Sequence, residues 1–372
     1  MGLPKLVASL VAALAISLGV IGKVKPEPFL MIPEIGFLPY MIFGGKYLPP
    51  YFDNEPYIGT NFRQWVRDGD VIVATGAKSG TTWMCYCTHA IRTRGADIKP
   101  YTDIMYTTPW VELFQRPGQT WAERKDLMNT TVLPDGSMLK DYWDNPGYPF
   151  RVFKSHFAPE DAPGGDPYQN VLPVRKYPKV KYIVAMREGL EVARSFWSFF
   201  KDHSPEFRKT WGGFPPQYSD VTSQIKDLLP GGNTYGLYFG YVKAWWPYRN
   251  DPNVLVMHYA DMVKDTKALV TKMAKFLEVQ LDGEELEQVV EKCSFKHMKA
   301  HSSLFNLRLP LAPDLGYSRI MYDGSFISAG KSGAEARPKI PKELEDQWNE
   351  AAKAEFSDPG LYDFAKNGGE WK

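Results

Sequence analysis

The sequence predicts an α/β fold: a single domain with a central parallel β-sheet flanked by helices. Three solid apolar runs support it, VIVATG at 71–76, KYIVAMR at 181–187 and NVLVMHY at 253–259. Helical spacing follows each run, and strands that are apolar throughout are typical of a parallel sheet buried on both faces. A shorter β-like run, RVFKSH at 151–156, is expected to join them.

Helices are predicted where apolar residues recur at helical spacing between start and stop signals. Thr81 should begin a helix that runs to about Arg94 and ends at Gly95. The segment 96–149, rich in Trp, Tyr, Pro and Gly, is predicted as loops and short helices. The segment 203–232 is predicted as a loop, and the tail beyond 300 as irregular apart from one helix. Further helices are expected at 188–200, 234–249, 261–279, 283–292 and 341–355.

The first part of the chain is predicted to be directed to a membrane. Residues 6–22, LVASLVAALAISLGVIG, are almost wholly apolar, and lysines flank them on both sides. Such a stretch suits a cleaved signal peptide or a retained anchor, and the anchor is favoured. The expected organisation is a hydrophobic N-terminal segment at 1–25, a Pro-rich linker at 26–60 and a globular domain at 61–372. The protein is then expected to be membrane-associated or cytoplasmic.

Composition excludes some classes of partner. The chain has 44 Lys and Arg against 43 Asp and Glu, so no electrostatic case for nucleic acid follows. The three cysteines are predicted to be free thiols, because Cys85 and Cys87 point to different faces of a helix. No cluster with metal-ligand spacing is evident, so no metal is expected.

The stretch VIVATGAKSGTTWMCY at 71–86 predicts a P-loop-like anion site, in which a strand, a small-residue loop and a helix start follow one another. It is not a Walker A loop, because Lys78 precedes Gly80 instead of following the last glycine. It is not a dinucleotide loop either, because no G-x-G occurs there. The backbone N–H groups of residues 79–82 are expected to point at one anion, with the charge of Lys78 at the loop mouth. Trp83 could stack on a flat base.

Two more clusters could carry chemistry. Lys154 and His156 project from one side at the carboxyl end of a strand, where open α/β sheets bind ligands. His156 is a candidate general base for a hydroxyl. Arg187 ends another strand and Ser195 lies two helical turns on, so both could bind a second anion.

Together these segments resemble the cytosolic-type sulfotransferases, whose donor is 3′-phosphoadenosine 5′-phosphosulfate (PAPS). AKSGTTW at 77–83 is similar to the family's phosphosulfate loop YPKSGTTW, and residues 151–159 are similar to its R-x-x-K-T-H-L-P segment. Arg187 and Ser195 match its 3′-phosphate segment. The other matching segments, in the same order over about residues 60–335, are TPWVE (108–112), AWW (244–246), Tyr259–Met262 and Cys293–Met298.

The resemblance implies a role for each matched residue. His156 would take the proton of the acceptor hydroxyl, Lys154 would stabilise charge at the transferring group and Lys78 would neutralise the leaving phosphate. The 5′-phosphosulfate would be held by Lys78, Ser79, Gly80, Thr81 and Thr82; the adenine would be surrounded by Trp83, Tyr259, Ser294 and Phe295; and the 3′-phosphate would bind Arg187 and Ser195.

The sequence departs from the family pattern near its C-terminus. The family segment F-x-R-K-G-x-x-G is replaced by FISAGKSG at 326–333, so Ser328 and Ala329 stand where an Arg-Lys pair grips the 3′-phosphate. Gly330 is kept. Lys331, or Arg337, is expected to reach the phosphate instead.

The acceptor is expected to be a small apolar hydroxyl compound: a phenol, a sterol or a lipid alcohol. The segment 106–121 is apolar and aromatic, and Tyr106, Trp110 and Phe114 would line the acceptor pocket. The alternatives are a nucleotide-dependent kinase or NTPase and a catalytically weak homologue that binds PAPS or its desulfated product, PAP. The sequence leaves the oligomeric state open.

Overall fold

The structure is a computed structural model that describes residues 3–24, 27–43, 48–96, 101–163, 168–322 and 338–370. Its centre is a four-stranded parallel sheet in the order β2-β1-β5-β6, with a parallel pair β3-β4 beside it. The strands are β1 (Val71–Ala74), β2 (Val152–Ser155), β3 (Ala158–Pro159), β4 (Asn170–Leu172), β5 (Lys181–Met186) and β6 (Val254–His258).

The sheet confirms the predicted α/β class. Val71 pairs with Val152 on one side and Lys181 on the other, so all neighbouring strands end at one edge. Every residue of β1 and β2 is buried, as their apolar runs require.

Helices flank both faces of this sheet. The α-helices are α1 (Leu3–Val24), α2 (Glu27–Leu30), α3 (Phe37–Phe43), α4 (Asn61–Trp65), α5 (Thr81–Arg92), α6 (Ile104–Thr107), α7 (Trp121–Thr130), α8 (Lys140–Trp143), α9 (Gly189–Lys201), α10 (Pro205–Thr210), α11 (Val221–Leu228), α12 (Phe239–Trp245), α13 (Tyr259–Lys264), α14 (Thr266–Phe276), α15 (Gly283–Lys292), α16 (Phe295–Ala300), α17 (Lys342–Glu355) and α18 (Pro359–Asn367). Val71 and Val73 face a hydrophobic cluster shared with α5, α14 and α15, whereas Ile72 and Ala74 face the cluster of α9 and α12.

Some helix predictions were wrong in detail. The helix expected at 261–279 is divided at Asp265, whose extended backbone (φ −146°) lets its side chain cap α14 through the N–H of Ala268. The helix expected at 234–249 is reduced to α12 between two short 3₁₀ turns. The predicted loop at 203–232 contains α10 and α11, and α18 lies in a tail predicted to be irregular.

The N-terminal region contributes to the core. Within 26–60, the predicted linker, Leu48, Phe52 and Tyr57 are buried, and the carboxylate of Asp53 forms a fully buried ion pair with Arg124 at 2.6 Å. The predicted membrane anchor is not confirmed, since no helix among the described residues has the length and apolar character needed to cross a bilayer.

Candidate active site

The loop between β1 and α5 has the backbone of an anion cradle. Gly80 caps α5 with a left-handed backbone (φ +97°), and a Cβ there would lie 3.1 Å from the ring of Tyr259. Only glycine therefore fits at this position without strain. Ser79, Thr81 and Thr82 are buried around it. The N–H groups of the first turn of α5 have no intrahelical acceptors, and the positive end of the helix dipole adds to their attraction for an anion.

Lys78 occupies a strained position in this loop. Its φ of +65° is left-handed although it is not a glycine, a strain that clusters at functional sites. Its Nζ lies 3.8 Å from the centre of the Phe199 ring on α9, and its carbonyl oxygen accepts a hydrogen bond from Arg187 at 3.2 Å. Burial, together with the positive charges of Arg187 and Lys154, lowers the pKa of Lys78 to about 7.

His156 is held at two points at the carboxyl end of β2. Its Nδ1 lies 2.9 Å from the carbonyl oxygen of Thr75, and its backbone N–H donates to Glu112 at 2.6 Å. A carbonyl can only accept, so Nδ1 carries the proton and Nε2 carries the lone pair. Burial, and then the charge of Lys154, lowers the pKa of His156 to about 3, so the imidazole is neutral near pH 7.

Lys154 lies on β2, two positions before His156. Its side chain is buried, and its Nζ lies 3.4 Å from the centre of the Trp110 ring. Burial lowers the pKa of Lys154 to about 8. Trp110 also meets the imidazole of His156 edge-on, with ring centres 5.0 Å apart. The structure therefore brings together Lys154, His156 and Trp110, three of the predicted site residues.

The residues expected around the adenine lie close together. Trp83 and Tyr259 meet edge-on with ring centres 5.8 Å apart, and the guanidinium of Arg187 lies 4.4 Å from the Tyr259 ring centre. The indole N–H of Trp83 donates to the carbonyl oxygen of Cys293 at 2.7 Å, next to Ser294 and the exposed Phe295. These contacts build one aromatic and cationic wall on the α5 side of the loop.

Two members of the expected 3′-phosphate and adenine set have other partners in this structure. Arg187 pairs with Glu191 at 3.2 Å, and the hydroxyl of Ser294 caps α16 by accepting the N–H of His297. Ser195 is half-buried on α9, one turn before Phe199. Gly330, Lys331 and the neighbouring positions Ser328, Ala329 and Arg337 lie outside the described residues.

The expected acceptor residues separate into two groups. Trp110 touches His156, whereas Phe114 packs on the guanidinium of Arg124 at 4.5 Å and Tyr106 on Tyr142 with ring centres 6.0 Å apart. The backbone of Phe114 is nevertheless linked to the site. Its N–H donates to the carbonyl oxygen of Tyr51 at 2.8 Å, and the residue after Tyr51, Phe52, lies against His156.

Sequence reasoning missed four residues that shape the site: Phe52, Thr75, Glu112 and Phe199. Phe52 lies against Trp110 and against the imidazole of His156, with ring centres 5.2 and 6.3 Å apart. It comes from the segment predicted to be a linker, and only the density of aromatic residues at 51–57 could have marked it. Glu112 lies within the matched TPWVE segment, where a carboxylate among apolar residues could have marked it as part of the site.

The charges around the loop are unbalanced in favour of cations. Lys78, Lys154 and Arg187 are near enough for the other two to lower the pKa of Lys78. Glu191 pairs with Arg187. Asp202 opposes the lowering of the Lys78 pKa, but burial and the neighbouring cations outweigh Asp202. The residues present therefore fit an anionic ligand. Among the described residues, no group of three or more His, Cys, Asp or Glu could hold a metal ion.

Comparison with known proteins identifies the class. The family model described as "Sulfotransferase domain" matches residues 68–360. The chain therefore belongs to the sulfotransferase family, which confirms the predicted enzyme class. It is 28% identical over 246 residues to sulfotransferase 1E1 of Homo sapiens, covering 66% of this chain and 71% of that one. It is 23% identical to luciferin sulfotransferase of Photinus pyralis, covering 75% and 72%.

Solved structures show the same fold. Mouse sulfotransferase SULT7A1 complexed with PAP aligns with a TM-score of 0.52 at 19% identity, covering 81% of this chain and 88% of that one. Retinol dehydratase in a complex with retinol and PAP aligns with a TM-score of 0.53 at 20% identity, covering 82% and 86%. The predicted roles of individual site residues remain predictions.

Proposed function

We propose that this enzyme transfers a sulfuryl group from PAPS to the hydroxyl of a small apolar acceptor, with His156 as general base. The observation that carries the proposal is the juxtaposition of a neutral imidazole with a cationic loop. The Nδ1 of His156 is bonded to Thr75 on the loop, and that loop carries Lys78 and opens α5. A proton acceptor and an anion cradle thus meet at the edge where parallel strands bind ligands.

In this mechanism His156 Nε2 accepts the proton as the acceptor oxygen attacks sulfur. The bond between sulfur and the phosphate oxygen breaks, and the negative charge moves to that phosphate. Lys78 and the N–H groups at the start of α5 stabilise the developing charge, and Lys154 does so on the acceptor side. Fixed charge and positioning are sufficient because the phosphate is a good leaving group.

The low pKa of His156 is consistent with this role. Without an anion, burial and Lys154 hold the pKa of His156 at about 3, which makes it a weak base. The negative charges of a bound donor offset the cations and favour the imidazolium, so the pKa rises towards its ordinary range. Donor binding would thus activate the base.

An apolar acceptor is favoured by the surroundings of His156. Phe52 and Trp110 both lie against the imidazole and against each other, and both rings pack with the buried aromatic core. A phenol, a sterol or a lipid alcohol could bury its ring system there while its hydroxyl reaches Nε2.

A lipid surface is the proposed location of the N-terminal helix. Most described side chains of α1 are apolar and exposed, Leu14 and Ile16 among them, and Met31 and Ile42 nearby are exposed by 84% and 69%. Lys5 and Lys23 stand at the two ends of the apolar stretch in the sequence, which suits anionic head groups. Flotation of the full chain with anionic vesicles tests this. Protein that stays at the bottom of the gradient while the vesicles rise would contradict it.

Binding and turnover test the catalytic proposal together. PAP should raise the melting temperature of the full chain without Mg²⁺, whereas ATP should have little effect. Labelled PAPS should then sulfate members of a panel of phenols and sterols. His156→Ala should bind PAP but lose turnover by about 100-fold or more. His89→Ala removes another buried histidine, on α5, and should keep turnover. Normal turnover by His156→Ala would refute the role of the base.

A further inference from the structure

Glu112 has a fully buried carboxylate whose hydrogen bonds all come from the neighbourhood of the proposed base. Its Oε1 accepts the backbone N–H of His156 at 2.6 Å. Its Oε2 accepts the hydroxyls of Ser155 at 2.7 Å and Tyr57 at 2.8 Å. A buried carboxylate is costly unless several donors bind it, and these three offset that cost.

The backbone around Glu112 connects three separate segments. The carbonyl oxygen of Glu112 accepts the N–H of Asp53 at 2.8 Å, and the N–H of Lys154 donates to the carbonyl oxygen of Pro109 at 2.9 Å. Single bridges pair Phe52 with Leu113 and Trp110 with Lys154. Residues 52–57, 109–113 and 152–156 therefore lie side by side, with the Glu112 side chain between them.

The hydrogen bond to His156 acts at the end of a strand. β2 ends at Ser155, so the backbone N–H of His156 has no partner in the ladder of the sheet. Glu112 supplies that partner, and Thr75 supplies the second one at Nδ1. The backbone and the ring of His156 are thus each fixed by one acceptor. The lone pair of Nε2 therefore points in one direction.

We propose that Glu112 is a positioning residue that holds His156 in register for proton transfer. The inference rests on the proposed role of His156 as the base. Glu112 touches neither donor nor acceptor in this proposal, and it acts only through the position of the imidazole. A shift of about 1 Å in a reacting group can cost about 100-fold in rate.

The charge and the hydrogen bond of Glu112 can be separated by substitution. Glu112→Gln keeps an oxygen for the His156 N–H but removes the charge, while its amide can donate to the two hydroxyls. Glu112→Asp keeps the charge but withdraws the carboxylate by one methylene group. Positioning by the hydrogen bond predicts that Gln is tolerated better than Asp.

The experiment measures kcat, acceptor KM and PAP affinity for these variants in the full chain. Glu112→Asp should lower kcat by at least about tenfold, and Glu112→Gln by less than about fivefold, with PAP affinity unchanged in both. Asp70→Asn is the control, because Asp70 is a buried carboxylate at the opposite end of β1, where it forms an ion pair with Arg151 and accepts the N–H of Arg67. It should lose stability but keep kcat.

Two results would overturn the inference. Glu112→Asp with the kcat of the unsubstituted enzyme would show that the contact does not position the base, even if the melting temperature falls. A loss of kcat in Asp70→Asn equal to that in Glu112→Asp would show that general destabilisation is the cause. If His156→Ala keeps its turnover, both the proposed base and this inference are refuted. If His156→Ala loses its turnover while Glu112→Asp keeps the normal kcat, only this inference is refuted.

Discussion

The affinity for PAP should fall as the pH rises, because Lys78 is partly neutral in the empty site. Burial, followed by Arg187 and Lys154, lowers the pKa of Lys78 to about 7. A bound phosphate favours the ammonium form and raises this pKa towards its ordinary value. Below a pH of about 7 the charge is already present. Above it, binding must take up a proton, so affinity is lost as the pH increases.

The size of the effect follows from the pKa. With about 7 in the empty site and about 10 in the complex, Kd should rise about 50-fold between pH 7 and pH 9. Lys154, whose pKa is lowered to about 8, adds up to about ninefold over the same pH range if its charge also meets the donor.

Isothermal titration calorimetry measures both the affinity and the proton uptake, the latter from two buffers that differ in ionisation enthalpy. Lys78→Arg keeps its charge at every pH in the range, so most of the slope should disappear while binding remains. Lys78→Met should bind weakly at all pH values. An unsubstituted enzyme whose Kd changes by less than about threefold, or a Lys78→Arg variant with the full slope, would refute the reasoning.

Three further results are expected. Arg124→Ala leaves the buried carboxylate of Asp53 unpaired, so the free energy of unfolding in urea should fall by about 3–5 kcal/mol. Gly80→Ala should weaken PAP binding at least about tenfold by calorimetry, because its Cβ would meet the ring of Tyr259. Phe52→Ala should raise the KM of an apolar acceptor about fivefold to tenfold in the sulfation assay, with PAP affinity unchanged, because it removes one of the rings beside the base.

Matched variants serve as controls for two of these results. Arg67→Ala removes an ion pair whose arginine is largely exposed, so it should cost less than about 1 kcal/mol. Gly59→Ala shares the positive φ but meets nothing within 4 Å, so it should keep PAP affinity. If Arg67→Ala lost as much stability as Arg124→Ala, or Gly59→Ala as much PAP affinity as Gly80→Ala, the cause given for that loss would be contradicted. An unchanged KM in Phe52→Ala would remove that ring from the acceptor wall.

Local patterns predicted the sheet and the loop. VIVA at 71–74 is apolar throughout because it is covered on both faces, and the small residues after it allow the left-handed turn at Gly80 that leads into α5. Lys154 and His156 were predicted as site residues because they stand at the end of a strand, where open α/β sheets bind ligands.

Contacts between distant residues could not be predicted in the same way. Glu112 and His156 are 44 positions apart, and the partner of Asp53 is 71 positions away. No periodicity couples such pairs. The division of the long helix at Asp265 did have a local signal, since Asp followed by Thr is a common way to start a helix, but continuous helical spacing on both sides concealed it.

The three segments joined at Glu112 have a consequence for protein engineering. The matched family region begins at residue 68, yet Phe52 lies against the imidazole of His156 and Tyr57 donates its hydroxyl to Glu112. A fragment cut at the family boundary would lack both contacts, although it would contain the loop and both lysines. A chimera that exchanges only the 108–114 segment with a relative would keep the backbone contacts from Asp53 and Phe52. It would set new side chains against Phe52, which packs on Trp110, and against Tyr57, which donates to Glu112. Acceptor preference should therefore be transferable only as a block, with residues 51–57 moved together with 108–114.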